Sequence, residues 1–324
     1  MMEYSSSIPG VLKNYPRANL IQTPVIIHRL PRLSSHLEYD IYILRDDLTG
    51  FALGGNKTRK LDYLVGDAID KKADTLVTMK ATSFSRNAAA AGSSCGLDLH
   101  VVVPGTKSEQ NPASQAIFNQ CDTALHYVPE GESALPDVYS HLVKSLKLKG
   151  NAVYELHPGG SDSIGALAYV RTFHDIHDFS YRSGVHFSHI IHSTSSAGTQ
   201  AGLVLGQCMD TYDTCILGVS AALKATVQSE RICELALSTA EMLGIEFDEN
   251  KVFVDDKFIG PGYATPSEEG KRAVKLFATL EGILLDQVYT GKAAAALHHY
   301  TTKGTVKGDS VLFIHTGGNA GLFY

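Results

Sequence analysis

Apolar, β-branched runs alternate with helical segments along most of this sequence, and that alternation restricts the possible folds most. The strand-like runs YDIYILRDD, TLVTMKA and LHVVVPG, which start at residues 39, 75 and 99, each precede a segment of helical character. The same order resumes at residues 189 and 214, and SVLFIHTGG at residue 310 is the last apolar strand. Strands joined through helices form right-handed βαβ units, so the sequence predicts an α/β protein with open parallel sheets.

Composition and charge exclude several classes of function. The 324 residues, 44% of them hydrophobic, are enough for one large or two medium domains with buried cores. A net charge of -6 and a pI near 6.1 favour neither nucleic acid nor an anionic membrane as partner, so a small ligand is expected. The five cysteines form no CxxC pair, and neither a leader pattern nor a long apolar run is present. A cytoplasmic protein is therefore expected.

The segment HSTSSAGTQAGL, residues 192 to 203, places small hydroxyl residues between an apolar strand and a helix. Backbone N–H groups at such a helix start, together with the helix dipole, can bind an anion such as phosphate. The segment has neither GxxxxGK[ST] nor GxGxxG, so no nucleotide or dinucleotide motif is present. A turn that is rich in glycine and serine without binding anything stays an alternative.

The segment LGGNKTRKLDYL, residues 53 to 64, brings three cations to a helix start. Lys57 and Lys60 are three residues apart and so lie on one face of the helix. One amine could react covalently with an aldehyde while the other neutralises a phosphate, although a solvated basic helix start fits the same spacing. Tyr263 and Tyr289 lie in predicted loops, Tyr289 after the apolar, strand-like segment EGILLDQV. A phenol in such a loop can act as acid or base or can be structural.

Three other patterns are interpreted as non-functional. HDIHD lacks the HExxH spacing of a zinc site and is typical of a surface helix, and the adjacent histidines near the C-terminus are interpreted in the same way. Two adjacent aspartates in a strand point to opposite faces and cannot share a proton. No metal site is predicted at any of these residues, which are His174, His177, His298, His299, Asp46 and Asp47.

Several segments together resemble one enzyme family. RDDLTGFALGGNKTRKLDYLVGDAI, PGGSDSIGALAY, SSAGTQAGL, PGYATPSEEG, KLFATLEGILLDQVYTGKA and LFIHTGGNAGLF are similar to the D-cysteine desulfhydrase and 1-aminocyclopropane-1-carboxylate deaminase family. The resemblance runs in order from residue 23 to the C-terminus. It implies the cofactor pyridoxal 5'-phosphate (PLP), the fold type II architecture of tryptophan synthase β, and a homodimer. It also implies a larger domain, residues 1–56 plus 164–324, and a smaller domain, residues 57–163, with PLP between them.

The resemblance assigns roles to single residues. Lys57 would bind PLP covalently and move protons at the substrate α-carbon, and Thr290 would face the pyridine nitrogen of PLP. Tyr263 and Tyr289 would flank substrate and cofactor. The contacts to the cofactor phosphate would come from Lys60, Ser196, Ala197, Gly198 and Thr199. Family members that open the cyclopropane ring have a glutamate in place of Thr290, so the neutral hydroxyl resembles the desulfhydrase branch.

One loop departs from the family pattern. The family has GAxQSNHxRQ after the strand ADTLVT, whereas this chain has the shorter MKATSFSRNAAAAG, with Lys80 in place of a small residue and Phe84 near the expected asparagine. Ser83 is the best match for the family serine that acts on the substrate, and Ser85 or Thr82 is also possible. The altered loop is expected to leave PLP binding intact and to change which amino acid fits, or to abolish turnover.

The function implied by this resemblance is a PLP-dependent lyase that converts D-cysteine to pyruvate, ammonia and sulfide. Lys57 or Ser83 would remove the α-proton, and Tyr289 would assist the leaving group. Deamination of 1-aminocyclopropane-1-carboxylate, or elimination from another β-substituted amino acid, is an alternative within the same chemistry. A non-catalytic protein that binds PLP or an amino acid is an alternative of another class.

Overall fold

The computed structural model describes residues 9–306, 308 and 310–322. The expectation that no leader is present rests partly on residues 1–8, which lie outside the described residues. Among the described residues, no helix combines the length and the hydropathy that a membrane crossing requires.

The strands and helices alternate as the sequence predicts. The strands of the described chain are β1 (Ile27–Arg29), β2 (Asp40–Arg45), β3 (Thr75–Met79), β4 (Asp98–Pro104), β5 (Ala124–Val128), β6 (Val153–Glu155), β7 (Phe187–Thr194), β8 (Cys215–Ser220), β9 (Phe253–Asp255) and β10 (Ser310–His315). Its α-helices are α1 (Pro31–Leu37), α2 (Asn56–Asp70), α3 (Ser83–Cys95), α4 (Pro112–Gln120), α5 (Leu135–Leu148), α6 (Ser163–Ser183), α7 (Gly198–Cys208), α8 (Ala225–Leu243), α9 (Glu268–Glu281) and α10 (Thr290–Thr302).

The strands form two open sheets. The larger sheet has the order β1-β2-β10-β7-β8-β9, and the smaller sheet has the order β5-β4-β3-β6. Neighbouring strands are parallel throughout, except that β1 runs antiparallel to β2 at the edge of the larger sheet. These sheets confirm the predicted α/β class with parallel sheets.

Helices cover both faces of the larger sheet. One apolar core includes side chains from β7, α6, α7 and α8, and the other includes side chains from β10, α1, α9 and α10. Close packing of α7 on α6 requires glycine at position 202, because a Cβ there would lie 2.2 Å from the Ala166 carbonyl oxygen. Because helices cover both faces, every residue of β10 is buried, and its four central residues, 311–314, are all apolar.

Helix α2 connects the two sheets. It packs on α6 beside the larger sheet and on α3 beside the smaller one, and Leu61 and Leu64 belong to the core of the smaller sheet. The four strands of the smaller sheet all lie between residues 75 and 155. The division of the chain into domains at residues 57 and 163 stays a prediction.

Two strand interpretations were wrong. Asp46 and Asp47 lie in a short 3-10 helix, Asp46–Leu48, directly after β2. The strand-like segment before YTGK forms no strand, and residues 282–289 are a partly buried, irregular connection between α9 and α10. Ile283 and Leu285 are apolar because they pack into the core beside α9 and α10, and the segment turns at Asp286 instead of pairing with a sheet. An apolar run of this length does not distinguish a strand from a buried loop.

Candidate active site

A cavity of about 430 Å³ lies at the loops that follow β3, β7 and β10. These are carboxyl ends of parallel strands, where open α/β sheets bind ligands. Most of the predicted site residues line this cavity, namely Lys57, Ser83, Ser196, Ala197, Thr199, Tyr263 and Tyr289. The remaining predicted residues, Lys60, Gly198 and Thr290, are not part of the lining.

Lys57 enters the cavity from the first turn of α2. Gly55 has a φ of +87°, and a Cβ there would lie 2.9 Å from the Thr316 carbonyl oxygen. The Asn56 amide donates to that same oxygen at 2.9 Å. The loop after β10 therefore fixes the start of α2, and only glycine at position 55 allows this approach.

The three cations near the start of α2 have different surroundings. The Lys57 amine lies 3.3 Å from Ser196 Oγ, and burial lowers the pKa of Lys57 to about 8. Lys60 is fully buried, and burial and then the charge of Lys57 hold its pKa well below the ordinary value, while Asp162 opposes this. Arg59 pairs with the buried carboxylate of Asp46 at 2.5 Å. Two buried lysine amines therefore face the site, whereas Arg59 is neutralised by Asp46 and is structural.

The turn between β7 and α7 can accept an anion. Ala197 has a φ of +69°, a conformation that non-glycine residues rarely adopt, and α7 begins at the next residue. The Lys60 amine lies directly beneath this turn, because a Cβ on Gly198 would be 2.9 Å from it. Ser193 Oγ is buried beside the cavity and has no hydrogen-bond partner among the described residues. A ligand with several acceptor oxygens fits these groups.

The start of α3 separates the three candidates for the family serine. Thr82 and Ser85 form a reciprocal capping box, and the Ser85 hydroxyl also donates to the Lys80 carbonyl oxygen at 2.7 Å. Ser85 is buried by these contacts and does not line the cavity. Ser83 and Thr82 do line it, and Ser83 follows the cap in the first turn of α3. The geometry thus favours Ser83 over Ser85 as the hydroxyl that meets a ligand.

Phe84 and Lys80 show how this loop differs locally. The Phe84 ring is buried against Gly160, where a Cβ would lie 2.8 Å from the ring. Lys80 adopts a φ of +67° and extends to Glu132, with 2.9 Å between the amine and the carboxylate. Lys80 does not line the cavity, so its charge is directed toward the neighbouring loop.

The two predicted tyrosines form a pair. Their phenol oxygens are 2.5 Å apart. Tyr263 is 56% exposed to solvent. Burial, followed by the hydrogen bond and charge of Tyr263, raises the pKa of Tyr289 far above its ordinary value. Tyr289 is therefore a protonated phenol at physiological pH, able to donate a proton or a hydrogen bond.

Asp286 is a site residue that the sequence did not reveal. Its carboxylate lines the cavity and accepts hydrogen bonds from the amides of residues 288, 289 and 290. The hydroxyl of the fully buried Thr290 also donates to Asp286 Oδ1 at 2.7 Å. Asp286 thus fixes the turn that holds Tyr289 and Thr290. An aspartate four residues before a helix start is compatible with such a cap, but the sequence does not show that it faces the cavity.

Two further residues at the site were also missed. Asn56 lines the cavity and donates from Nδ2 to Thr199 Oγ1 at 3.0 Å, which ties α2 to α7. Arg86 lines the cavity on α3 and donates to Ser114 Oγ at 2.8 Å. Its charge acts on Tyr289. The sequence spacing does not indicate either contact, because each joins two helices that are separated along the chain.

The patterns interpreted as non-functional lie away from the cavity. His174 and His177 are half-buried rather than on a surface face, and both contact the Asp210 carboxylate, at 3.3 and 2.7 Å. His298 and His299 are exposed. Among the described residues, no group of three or more histidine, cysteine or acidic side chains has the arrangement of a metal site.

Comparison with known sequences identifies the family. The family described as pyridoxal-phosphate dependent enzymes matches residues 18–317, which is nearly the whole chain. The chain belongs to this family. PLP is therefore its cofactor, and the resemblance seen in the sequence is confirmed.

The chain is similar to members of this PLP-dependent family over nearly the full length of both proteins. D-cysteine desulfhydrase from Klebsiella pneumoniae (strain 342) is 36% identical, over 96% of this chain and 97% of that protein. A putative 1-aminocyclopropane-1-carboxylate deaminase from Pyrococcus abyssi is 33% identical, over 98% and 96%. The crystal structure of an ACC deaminase homologue has a TM-score of 0.87 at 33% identity, covering 97% of this chain and 95% of that one.

A more distant structure supports the fold only. Threonine deaminase isoform 2 from Solanum lycopersicum has a TM-score of 0.68 at 14% identity and covers 95% of this chain and 83% of that one. Together these structures confirm the predicted fold type II architecture.

The residues of the cavity fit PLP. The start of α7, the Ser193 and Ser196 hydroxyls and the buried Lys60 amine form a cationic, donor-rich end that suits a phosphate. The Lys57 amine lines the same cavity and has a lowered pKa, as a covalent bond to an aldehyde requires.

Proposed function

We propose that this protein is a lyase that converts D-cysteine and water to pyruvate, ammonia and hydrogen sulfide. The observation that carries the proposal is that the Lys57 amine and the Tyr263–Tyr289 phenol pair line one cavity. A proton acceptor and a proton donor can therefore reach the same small amino acid. Similar proteins named D-cysteine desulfhydrase support this choice of substrate.

Lys57 would hold PLP, which would supply an electron sink for the bonds at the substrate α-carbon. The Lys57 amine would also take the α-proton, and a pKa of about 8 suits an amine that accepts and returns a proton near neutral pH. Ser83 is the second candidate for this base. The C–S bond breaks with its electron pair on sulfur, which takes a proton from Tyr289 and leaves as hydrogen sulfide. The proton on Lys57 would restore Tyr289. The released aminoacrylate would shift an N–H proton to its β-carbon, and water would then replace the nitrogen to give pyruvate and ammonia.

The start of α3 would bind the substrate carboxylate. Ser83 lines the cavity, and the first-turn amides of α3 lack partners within the helix. Lys60, Ser196, Ala197, Gly198 and Thr199 would hold the cofactor phosphate. Thr290 would face the pyridine nitrogen, and its hydroxyl proton is already donated to Asp286.

A second candidate reaction is deamination of 1-aminocyclopropane-1-carboxylate, since similar proteins carry that name. Thr290 argues against this reaction, because the family resemblance places a glutamate at this position in members that open the cyclopropane ring. Elimination from another β-substituted amino acid uses the same residues as the leading proposal. The altered loop at residues 81–87 supports a change in which amino acid fits.

The test measures keto acid release by the PLP-loaded protein from D-cysteine, L-cysteine, β-chloro-D-alanine and 1-aminocyclopropane-1-carboxylate. We expect pyruvate from D-cysteine, and we expect Lys57→Ala to abolish both turnover and the visible absorbance of bound PLP. Lys144→Ala, at an exposed lysine of α5, is the matched control and leaves both unchanged. A protein that stays colourless with added PLP would refute the proposal. Absorbance that shifts with amino acids while no keto acid forms would identify a non-catalytic binder.

We also propose that the enzyme acts as a homodimer in the cytoplasm. Five free cysteines are compatible with a reducing compartment. Residues 57–163 are proposed to form the smaller domain, with the larger one built from residues 1–56 and 164–324. The position of the cavity between the two sheets supports this division, since closure of one domain on the other would exclude water.

A further inference from the structure

Lys292 is a buried cation to which no role has been assigned. It lies on α10, three residues after Tyr289, and its side chain is among the largest that are fully buried. Its amine donates to the carbonyl oxygens of Ala221 and Gly262, each at 2.9 Å. Burial lowers the pKa of Lys292, and the charge of Asp286 opposes this. An ammonium that leaves water for two carbonyl oxygens forms short, directional, charge-assisted bonds, so it fixes the groups it contacts.

The two carbonyl groups belong to different parts of the active site. Gly262 directly precedes Tyr263 in the loop between β9 and α9. Ala221 follows β8, and its amide donates to the carbonyl oxygen of Thr194, which lines the cavity at the end of β7. One amine therefore joins α10, the strand end beside the cofactor turn, and the loop that carries Tyr263.

The loop of Tyr263 needs such an anchor. Gly260 and Ala264 have φ values of +68° and +58°, and Thr265 donates to the Gly262 oxygen at a long 3.4 Å. These residues lie outside the sheets and helices, so no backbone ladder fixes them. The Tyr263 phenol nevertheless lies 2.5 Å from that of Tyr289. Tyr289 directly precedes α10, about one turn before Lys292, so the amine fixes Tyr263 relative to the helix start that presents Tyr289.

We propose that Lys292 is a positioning residue that acts through Tyr263. By holding the Gly262 carbonyl, it keeps the Tyr263 phenol at hydrogen-bond distance from Tyr289 over the cavity. Its effect on turnover rests on the proposed function, whereas its effect on the loop does not. Lys292 itself touches neither substrate nor cofactor in this assignment.

The first experiment is a double-mutant cycle on the PLP-loaded enzyme with D-cysteine as substrate. Lys292→Met keeps the length of the side chain but removes its hydrogen-bond donors. We expect this variant and Tyr263→Phe each to lower kcat/KM about 100-fold, because each misplaces or removes a group at the reacting substrate. The double variant is expected to fall by about the same factor, not by about 10,000-fold, because both changes remove one function. Independent, multiplicative effects would overturn the proposal, since a general packing role does not depend on Tyr263.

The second experiment needs no turnover. Hydrogen exchange followed by mass spectrometry is compared in wild type, Lys292→Met and the control Lys303→Met, at the end of the same helix. We expect faster exchange in residues 257–266 of Lys292→Met alone, with the visible absorbance of bound PLP retained. Unchanged exchange would overturn the proposal even if D-cysteine is a substrate, and faster exchange would support it even if D-cysteine is not. If Lys292→Met fails to fold, Lys292→Gln replaces it, and failure of both to fold would establish a global structural role instead.

Discussion

The Lys57 amine is predicted to be far more reactive at neutral pH than an ordinary lysine. Burial lowers its pKa from 10.5 to about 8. About one amine in ten is then neutral at pH 7, against about one in 3,000 at the ordinary value, a gain of roughly 300-fold. Only the neutral amine attacks a carbonyl group, so this gain acts directly on the capture of PLP.

The assay is competitive acetylation of the protein after removal of PLP, from pH 6 to pH 10, with residue-resolved mass spectrometry. Lys57 lines the cavity and is reachable by a small reagent, and Lys144 serves as an exposed internal reference. We expect the rate at Lys57 to rise about tenfold per pH unit up to pH 7 and to level off above pH 8. Steric protection would change the height of this curve but not its midpoint. A rate that still rises tenfold per unit at pH 9 would refute the reasoning.

Two further predictions use neighbouring residues. Gly198→Ala places a Cβ 2.9 Å from the Lys60 amine and should weaken PLP binding about 10- to 100-fold, which is the value of one hydrogen bond to a charged group. The control Gly10→Ala, whose added Cβ would have no atom within 4 Å, should leave PLP binding unchanged. Titration with PLP, followed by absorbance, measures the affinity of both variants. Burial lowers the pKa of His192 to about 4, so the folded state resists the proton that the unfolded chain takes up near pH 6.5. The free energy of unfolding should therefore fall by on the order of 3 kcal/mol from pH 7 to below pH 4 because of His192. Urea unfolding of His192→Gln should lack this part of the fall. If the free energies of unfolding of wild type and variant change in parallel with pH, the prediction is wrong.

The sequence predicted the fold through its periodicity, and the failures have a physical cause. Runs such as those of β2, β4 and β10 are apolar and end in turns, so they were recognised. The edge strands β1, β6 and β9 have only three residues each, too few for a periodic signal. In the connection before α10, Ile283 and Leu285 are apolar because they are buried, and burial alone does not specify a strand.

The sequence pattern indicated where two turns of the candidate site lie, but the roles of their residues came from the family resemblance and stay predictions. Asn56 and Lys57, which follow two glycines, and the small residues before α7 all line the cavity. The choice among Thr82, Ser83 and Ser85 was not predictable, because successive helical residues rotate by about 100° and the direction of each depends on which residue is the cap. The contacts of Asp286 and Lys292 were also hidden, because the groups they bind come from a folded-back turn and from two distant loops.

The same helical rotation explains how one short segment of cations serves two purposes. Lys57 and Lys60, three residues apart, both turn toward the start of α7, one into the cavity and one beneath the turn at Gly198. Arg59, two residues after Lys57, points to the opposite side and is neutralised by Asp46. Of these three cations, the two lysines make no ion pair with the described residues, and an anionic cofactor is the group that compensates for burying them.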